Sequence, residues 1–183
     1  MTTAVFIRML PLLVMLAMAA SIDHKQRRIP NWLTFGMTIT GLVRAGILAG
    51  GIGIGHSLLG LVVGASVPLV LFAIGALGGG DVKLMGGVGT WIGPGPVFAV
   101  FLIQAVLGMM IVVIQAAMQG RTKALFRNTA VIAAGFAAVG ELGLENAVHS
   151  GKTCRSIDRP LPYAVPVFLA TVIVLMLGQL AGS

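Results

Sequence analysis

Val97-Phe-Ala-Val-Phe-Leu-Ile-Gln-Ala-Val-Leu-Gly-Met-Met-Ile-Val-Val-Ile-Gln-Ala-Ala-Met-Gln119 contains no ionisable side chain from end to end. Crossing the hydrocarbon core of a bilayer takes about 20 apolar residues of helix, and this run supplies them without interruption. Comparable apolar stretches occupy 3–22, 32–50, 54–77 and 161–181, with a shorter one at 82–93. Gly93-Pro94-Gly95-Pro96 ends the short stretch abruptly, as consecutive Gly and Pro should. The pattern predicts an all-α polytopic membrane protein with about six transmembrane helices. It forms a single membrane-embedded domain over 1–183, with a cytoplasmic segment at about 120–160.

Composition agrees. Of 183 residues, 57% are hydrophobic and only 9% are charged. A soluble domain carries about 25% charged residues, so this chain lacks the polar atoms to coat a surface facing water. Gly46-Ile-Leu-Ala-Gly50 and Gly60-Leu-Val-Val-Gly64 have the small-xxx-small spacing that lets helices approach closely in lipid.

The net charge of +7 invites the thought of nucleic acid, but the cations sit in short runs between apolar stretches without an aromatic platform. Loop charges that orient membrane helices explain them, and no nucleic-acid partner is expected. If six helices alternate with the N-terminus outside, the loops at 23–31, 78–83 and 120–160 face the cytoplasm. Those loops hold ten of the twelve Lys and Arg residues, and only Arg8 and Arg44 fall elsewhere. The first 20 residues also resemble a signal peptide ending in Ala17-Met-Ala-Ala20, yet Lys25, Arg27 and Arg28 follow at once and favour retaining this end inside. Residues 128–148 could be taken for a seventh span. That would place Glu141 and Glu145 in the bilayer at a few kcal/mol each, so an interfacial or re-entrant helix is expected there.

Only five acidic residues exist: Asp23, Asp81, Glu141, Glu145 and Asp158. Asp23 closes the first apolar stretch and Asp81 precedes the short one. An odd number of crossings lies before each, so both reach the same membrane face. Two carboxylates at one interface can share a proton, one ionised to activate water and the other protonated to donate. Each also has a simpler explanation. Asp23 can be a solvated helix terminus beside a basic run, and Asp81 can be a first-turn acid favoured by the helix dipole. Gly78, Gly79 and Gly80, ahead of Asp81, point either to close helix packing or to a backbone with unusual dihedrals that admits an extended chain. The single cysteine, Cys154, forms no pair, and His24, His56 and His149 are scattered. No metal and no cofactor are expected.

Gly78-Gly79-Gly80-Asp81 matches the GxGD pattern of membrane aspartyl proteases. With Val82-Lys83-Leu84 appended it resembles the type IV prepilin peptidases in particular. Asp23, followed by Ile29-Pro30-Asn31, resembles their first catalytic aspartate and its surroundings, and Arg159-Pro-Leu-Pro-Tyr-Ala-Val-Pro166 resembles their approach to the last helix. The resemblance implies an aspartic endopeptidase with Asp23 and Asp81 as the catalytic pair. It would remove leader peptides from prepilins or pseudopilins at the cytoplasmic face of the bacterial inner membrane, in contact with the lipid bilayer and other pilus-assembly proteins. Larger relatives carry paired Cys-x-x-Cys motifs and methylate the new N-terminus. This chain has no such pairs, resembles the short form found with Flp-type (tight-adherence) pili, and carries no implied methyltransferase. Lys83 follows the family pattern but also suits a positive-inside anchor. Two other classes fit the composition: a non-catalytic membrane subunit of a pilus-assembly or secretion system, and another GxGD-type intramembrane peptidase with a different substrate.

Overall fold

The computed structural model describes residues 2–73, 77–118 and 163–181. The segment at 120–160, with Cys154, His149, Glu141, Glu145 and Asp158, lies outside the described residues. Among those described, every regular element is helical: α1 (Thr2–Gln26), α2 (Asn31–Ala73), α3 (Gly79–Ile92), α4 (Pro94–Met118) and α5 (Ala164–Ala181). Among the described residues, two helices are long and apolar enough to cross a membrane, Asn31–Ala73 and Pro94–Gln115.

The 43 residues of α2 are not one rod. Straight, they would span roughly 65 Å, twice a bilayer core. Ala49 and Gly50 leave helical geometry instead, and Gly50 has φ +57° and ψ −142°, which suits glycine far better than an L side chain. Beyond the break the chain turns back on itself. Gly53 packs against Ala45 and Ala49, and Gly46 packs against Ile54. The Gly46 to Gly50 spacing expected to pack two helices therefore serves a hairpin.

Both arms of the hairpin embrace α3. On the first arm, Met37 meets Gly87 and Gly41 meets Thr90, so both numbers rise together and the strands of helix run parallel. On the second, Gly60 meets Gly89 and Gly64 meets the Met85 carbonyl, so the numbers run oppositely. Gly60 and Gly89 bring backbone against backbone with no room for a Cβ on either side. Here the Gly60-xxx-Gly64 spacing does what small residues do in lipid. Polar pins join the same helices: Ser57 donates to the Thr90 carbonyl at 2.7 Å, and the Trp91 indole N–H donates to the Met37 carbonyl at 2.9 Å.

Gly93, at φ +83°, ends α3 with its N–H on the Gly89 carbonyl, and Pro94 starts α4. The stop read from Gly93-Pro94-Gly95-Pro96 is thus present. α5 packs against α1 and α4. The core is thin: Leu12, Leu16, Leu33, Met37, Leu84, Met85, Val88 and Val97 are fully enclosed. Large apolar side chains cover the outside, among them Ile52 at 87% exposure and Ile47 at 80%. Such a surface is untenable in water and suits lipid.

Candidate active site

Asp23 sits in the last turn of α1 and Asp81 in the first turn of α3, 58 residues apart in sequence. The fold brings both to one cavity of about 400 Å³, together with Arg27, Arg28, Ile29, Asn31, Gly78, Gly80 and Tyr163. The end of α1, the start of α2, the start of α3 and the residue before α5 therefore meet at one level of the bundle.

Asp23 is only 6% exposed. Its Oδ2 accepts a hydrogen bond from the Ala164 N–H at 3.0 Å, the first amide of α5, across 141 residues of chain. A helix start presents free N–H groups and the positive end of the dipole, which is where an anion is welcome. Asp81 occupies the corresponding place on α3. Its Oδ2 accepts from the Gly78 N–H at 3.1 Å, and its own N–H donates to the Gly78 carbonyl at 3.1 Å. Asp81 does stand in the first turn of α3, the position read as one explanation of it, and its bond to Gly78 coexists with the cavity. Asp81 precedes the apolar stretch of α3. Burial raises its carboxyl pKa from the ordinary 3.8 to about 6, the Gly78 amide works the other way, and the Asp23 charge adds to the rise. Asp81 therefore keeps its proton to a higher pH than an ordinary carboxyl does.

The three glycines do not adopt unusual dihedrals. Gly78 is extended (φ −87°, ψ 151°), and positive φ among described glycines is confined to Gly50 and Gly93. Packing does not demand glycine there either: a Cβ at Gly79 would meet Phe72, and one at Gly80 would meet Ile29, at ordinary contact distance. Gly78 and Gly80 line the cavity. Lys83 donates to the Asn31 side-chain carbonyl at 2.9 Å and lies over the Phe35 ring, tying α3 to the start of α2. His24 is exposed on α1 and does not line the cavity.

Several lining residues were not singled out as site residues from the sequence. Tyr163 receives a hydrogen bond from Gln104 of α4 at 2.9 Å. It also lines an apolar cavity of about 370 Å³ with Phe101, Met109 and Pro166. Arg27 takes φ +53°, a left-handed conformation for a non-glycine residue, with its N–H on the Asp23 carbonyl at 2.8 Å. This turn drops Arg27 and Arg28 at the cavity rim. Among the described residues, no three His, Cys, Asp or Glu side chains converge as a metal site would need. A separate groove of about 600 Å³ is apolar and is lined by neither carboxylate.

A family model described as the type IV leader peptidase family matches residues 10–113, which include both aspartates and more than half of the chain. No curated protein and no solved structure matches significantly.

Proposed function

The chain belongs to the type IV leader peptidase family, and from that premise we propose that Asp23 and Asp81 together hydrolyse the leader peptide bond of Flp-type prepilins at the cytoplasmic face of the bacterial inner membrane. Membership implies a membrane protease of the aspartic type. The observation that supports the assignment of residues is the convergence of two remote carboxylates on one cavity, with one of them pushed up to about 6.

The chemistry follows from the different surroundings of the pair. Asp23, against the first amide of α5, acts as the ionised base and takes a proton from water. Asp81 acts as the acid and gives its proton to the scissile carbonyl oxygen as the water oxygen bonds to carbon. The tetrahedral intermediate then collapses. Its C–N bond breaks, the leaving nitrogen receives the proton held by Asp23, and a hydroxyl proton returns to Asp81. Positioning the peptide beside both groups supplies much of the rate.

The positive-inside distribution supports a cytoplasmic site with the N-terminus outside and six crossings, counting the two arms of α2 separately. The single cysteine supports a peptidase without the cysteine-paired insertion of larger relatives. The test is co-expression with a short pilin precursor carrying a basic leader. The wild type converts precursor to mature pilin on a gel, whereas Asp81→Asn and Asp23→Asn insert normally and leave it unprocessed. Conversion by either variant refutes the pair, and failure of the wild type to cut refutes the pilin substrate.

A further inference from the structure

The two cations that stood apart from the basic loops, Arg8 and Arg44, both lie far from the carboxylates. Arg44 lies 13 residues along α2 from Asn31 of the carboxylate cavity, and Arg8 lies 15 residues along α1 from Asp23. At 1.5 Å per residue that is roughly 20 Å in each case, the opposite end of the bundle. The charge of Arg8 is felt at Arg44. Arg44 stacks 5.4 Å from the Trp91 ring centroid, and its Nη1 reaches the Trp91 carbonyl at 3.4 Å. That ring and the end of α3 fix the guanidinium in place, half-buried.

Beside it is a pocket of about 330 Å³ lined by Arg44, His56, Ser57 and Trp91 on its inner side and by Leu48 and Ile52 at its lipid-facing edge. His56 lies against Gly93, where glycine leaves room for the ring. Leu48 and Ile52 are 58% and 87% exposed, so apolar surface continues from the pocket directly onto the outside of the hairpin. Ile92 lines this pocket and also the 600 Å³ apolar groove between α1, α4 and α5. A cationic recess adjoining apolar surface on two sides matches a molecule that is anionic at one end and hydrocarbon at the other.

We propose that Arg8, Arg44 and His56 form a binding site for the phosphate of an anionic phospholipid in the leaflet opposite the carboxylate cavity. Its acyl chains lie on the hairpin around Ile47 and Ile52 and toward the groove beyond Ile92. Arg44 donates to the phosphate from the face not turned to Trp91. The lipid offsets the mutual repulsion of Arg8 and Arg44 and secures the hairpin against α3, the helix that presents Asp81. The site is independent of the peptidase reading, since it shares no residue with the carboxylate cavity.

The chain has two tryptophans, Trp32 and Trp91. Trp32→Phe therefore leaves Trp91, beside the pocket, as the only tryptophan, excited selectively over Tyr163 at the red edge of the absorption band. That protein is placed in phosphatidylcholine vesicles containing equal fractions of either brominated phosphatidylglycerol or brominated phosphatidylcholine. The anionic lipid is expected to quench Trp91 with about fivefold higher apparent affinity for each cation engaged. Arg44→Gln and Arg8→Gln should each lower that preference by a similar factor. Arg8 is exposed on α1, so its variant keeps the test valid if Arg44→Gln fails to fold. Equal quenching by the two lipids overturns the proposal, as does a preference that survives both substitutions. Loss of the preference on adding inorganic phosphate at matched ionic strength identifies a free-anion site and overturns the lipid assignment.

Discussion

Asp81→Asn should inactivate the protein and stabilise it at neutral pH, and the two effects have one cause. The Asp81 carboxyl is raised from 3.8 to about 6, chiefly by burial, so the fold favours the protonated form. A rise of roughly two pH units is about 3 kcal/mol of preference for the neutral state. Sign matters here. The folded protein binds the Asp81 proton more tightly than the unfolded chain does. That stabilisation is fully present below 3.8 and is lost as pH climbs through about 6. Above this window the wild type carries a partly buried charge that asparagine does not. Asparagine keeps the side-chain oxygen that accepts from the Gly78 N–H, so the cap on α3 survives. Because Asp81 retains some solvent contact, the gain at pH 7.5 should be roughly 1–3 kcal/mol, fading to nothing near pH 3.5. Asp81→Ala also removes the cap, which costs about 1 kcal/mol, and so should gain less. Thermal unfolding in detergent, followed by circular dichroism from pH 3.5 to 8, separates these cases. If wild type and Asp81→Asn keep the same stability difference throughout that range, the assignment of Asp81 as the raised acid is wrong.

Processing by the wild type should fall on the alkaline side as Asp81 loses its proton near pH 6, and the initial rate of precursor cleavage against pH reads this limb directly. Gly60→Ala and Gly89→Ala should each destabilise by about 1–3 kcal/mol or more, because their Cβ atoms would meet facing backbone, whereas Gly108→Ala has open space and should be nearly silent in the same melts. Arg27→Gly should raise stability by about 1 kcal/mol by relieving a left-handed conformation, and Arg27→Ala should not, a contrast that chemical denaturation resolves.

The parts of this fold that the sequence declared are those governed by local rules. Charge-free apolar runs, the Gly93-Pro94 stop and the Gly60-xxx-Gly64 stripe each act within a few residues of themselves, and each appears where it was expected. Gly46 and Gly50 carry the same spacing as Gly60 and Gly64, yet they build a turn. A small-residue stripe records only that something comes close, and a chain doubling back is as close as a second helix. The triple glycine is ambiguous in the same way: none of the three has positive φ, a Cβ at Gly79 or Gly80 would meet its neighbours at ordinary contact distance, and what the structure does show is that Gly78 and Gly80 line the cavity.

Asp23 and Asp81 were legible because an acid at the edge of an apolar run is costly enough to demand a reason. Their shared surroundings were not. The partner of Asp23 is a backbone amide 141 residues away, and a backbone amide has no residue type to betray it. What selects that amide is topology. α3 runs parallel to the first arm of α2, so both begin at one level, and α1 must end there for the chain to enter α2. α5 starts at that level too, as the bond from Ala164 to Asp23 requires. Three helix starts thus surround one helix end. Their unsatisfied N–H groups and positive dipole ends make this the place in the bundle where two acids can be held together at least cost. The same geometry that caps Asp81 brings it to the cavity of Asp23, so the structural role of that carboxylate and the chemical role proposed for it rest on one arrangement.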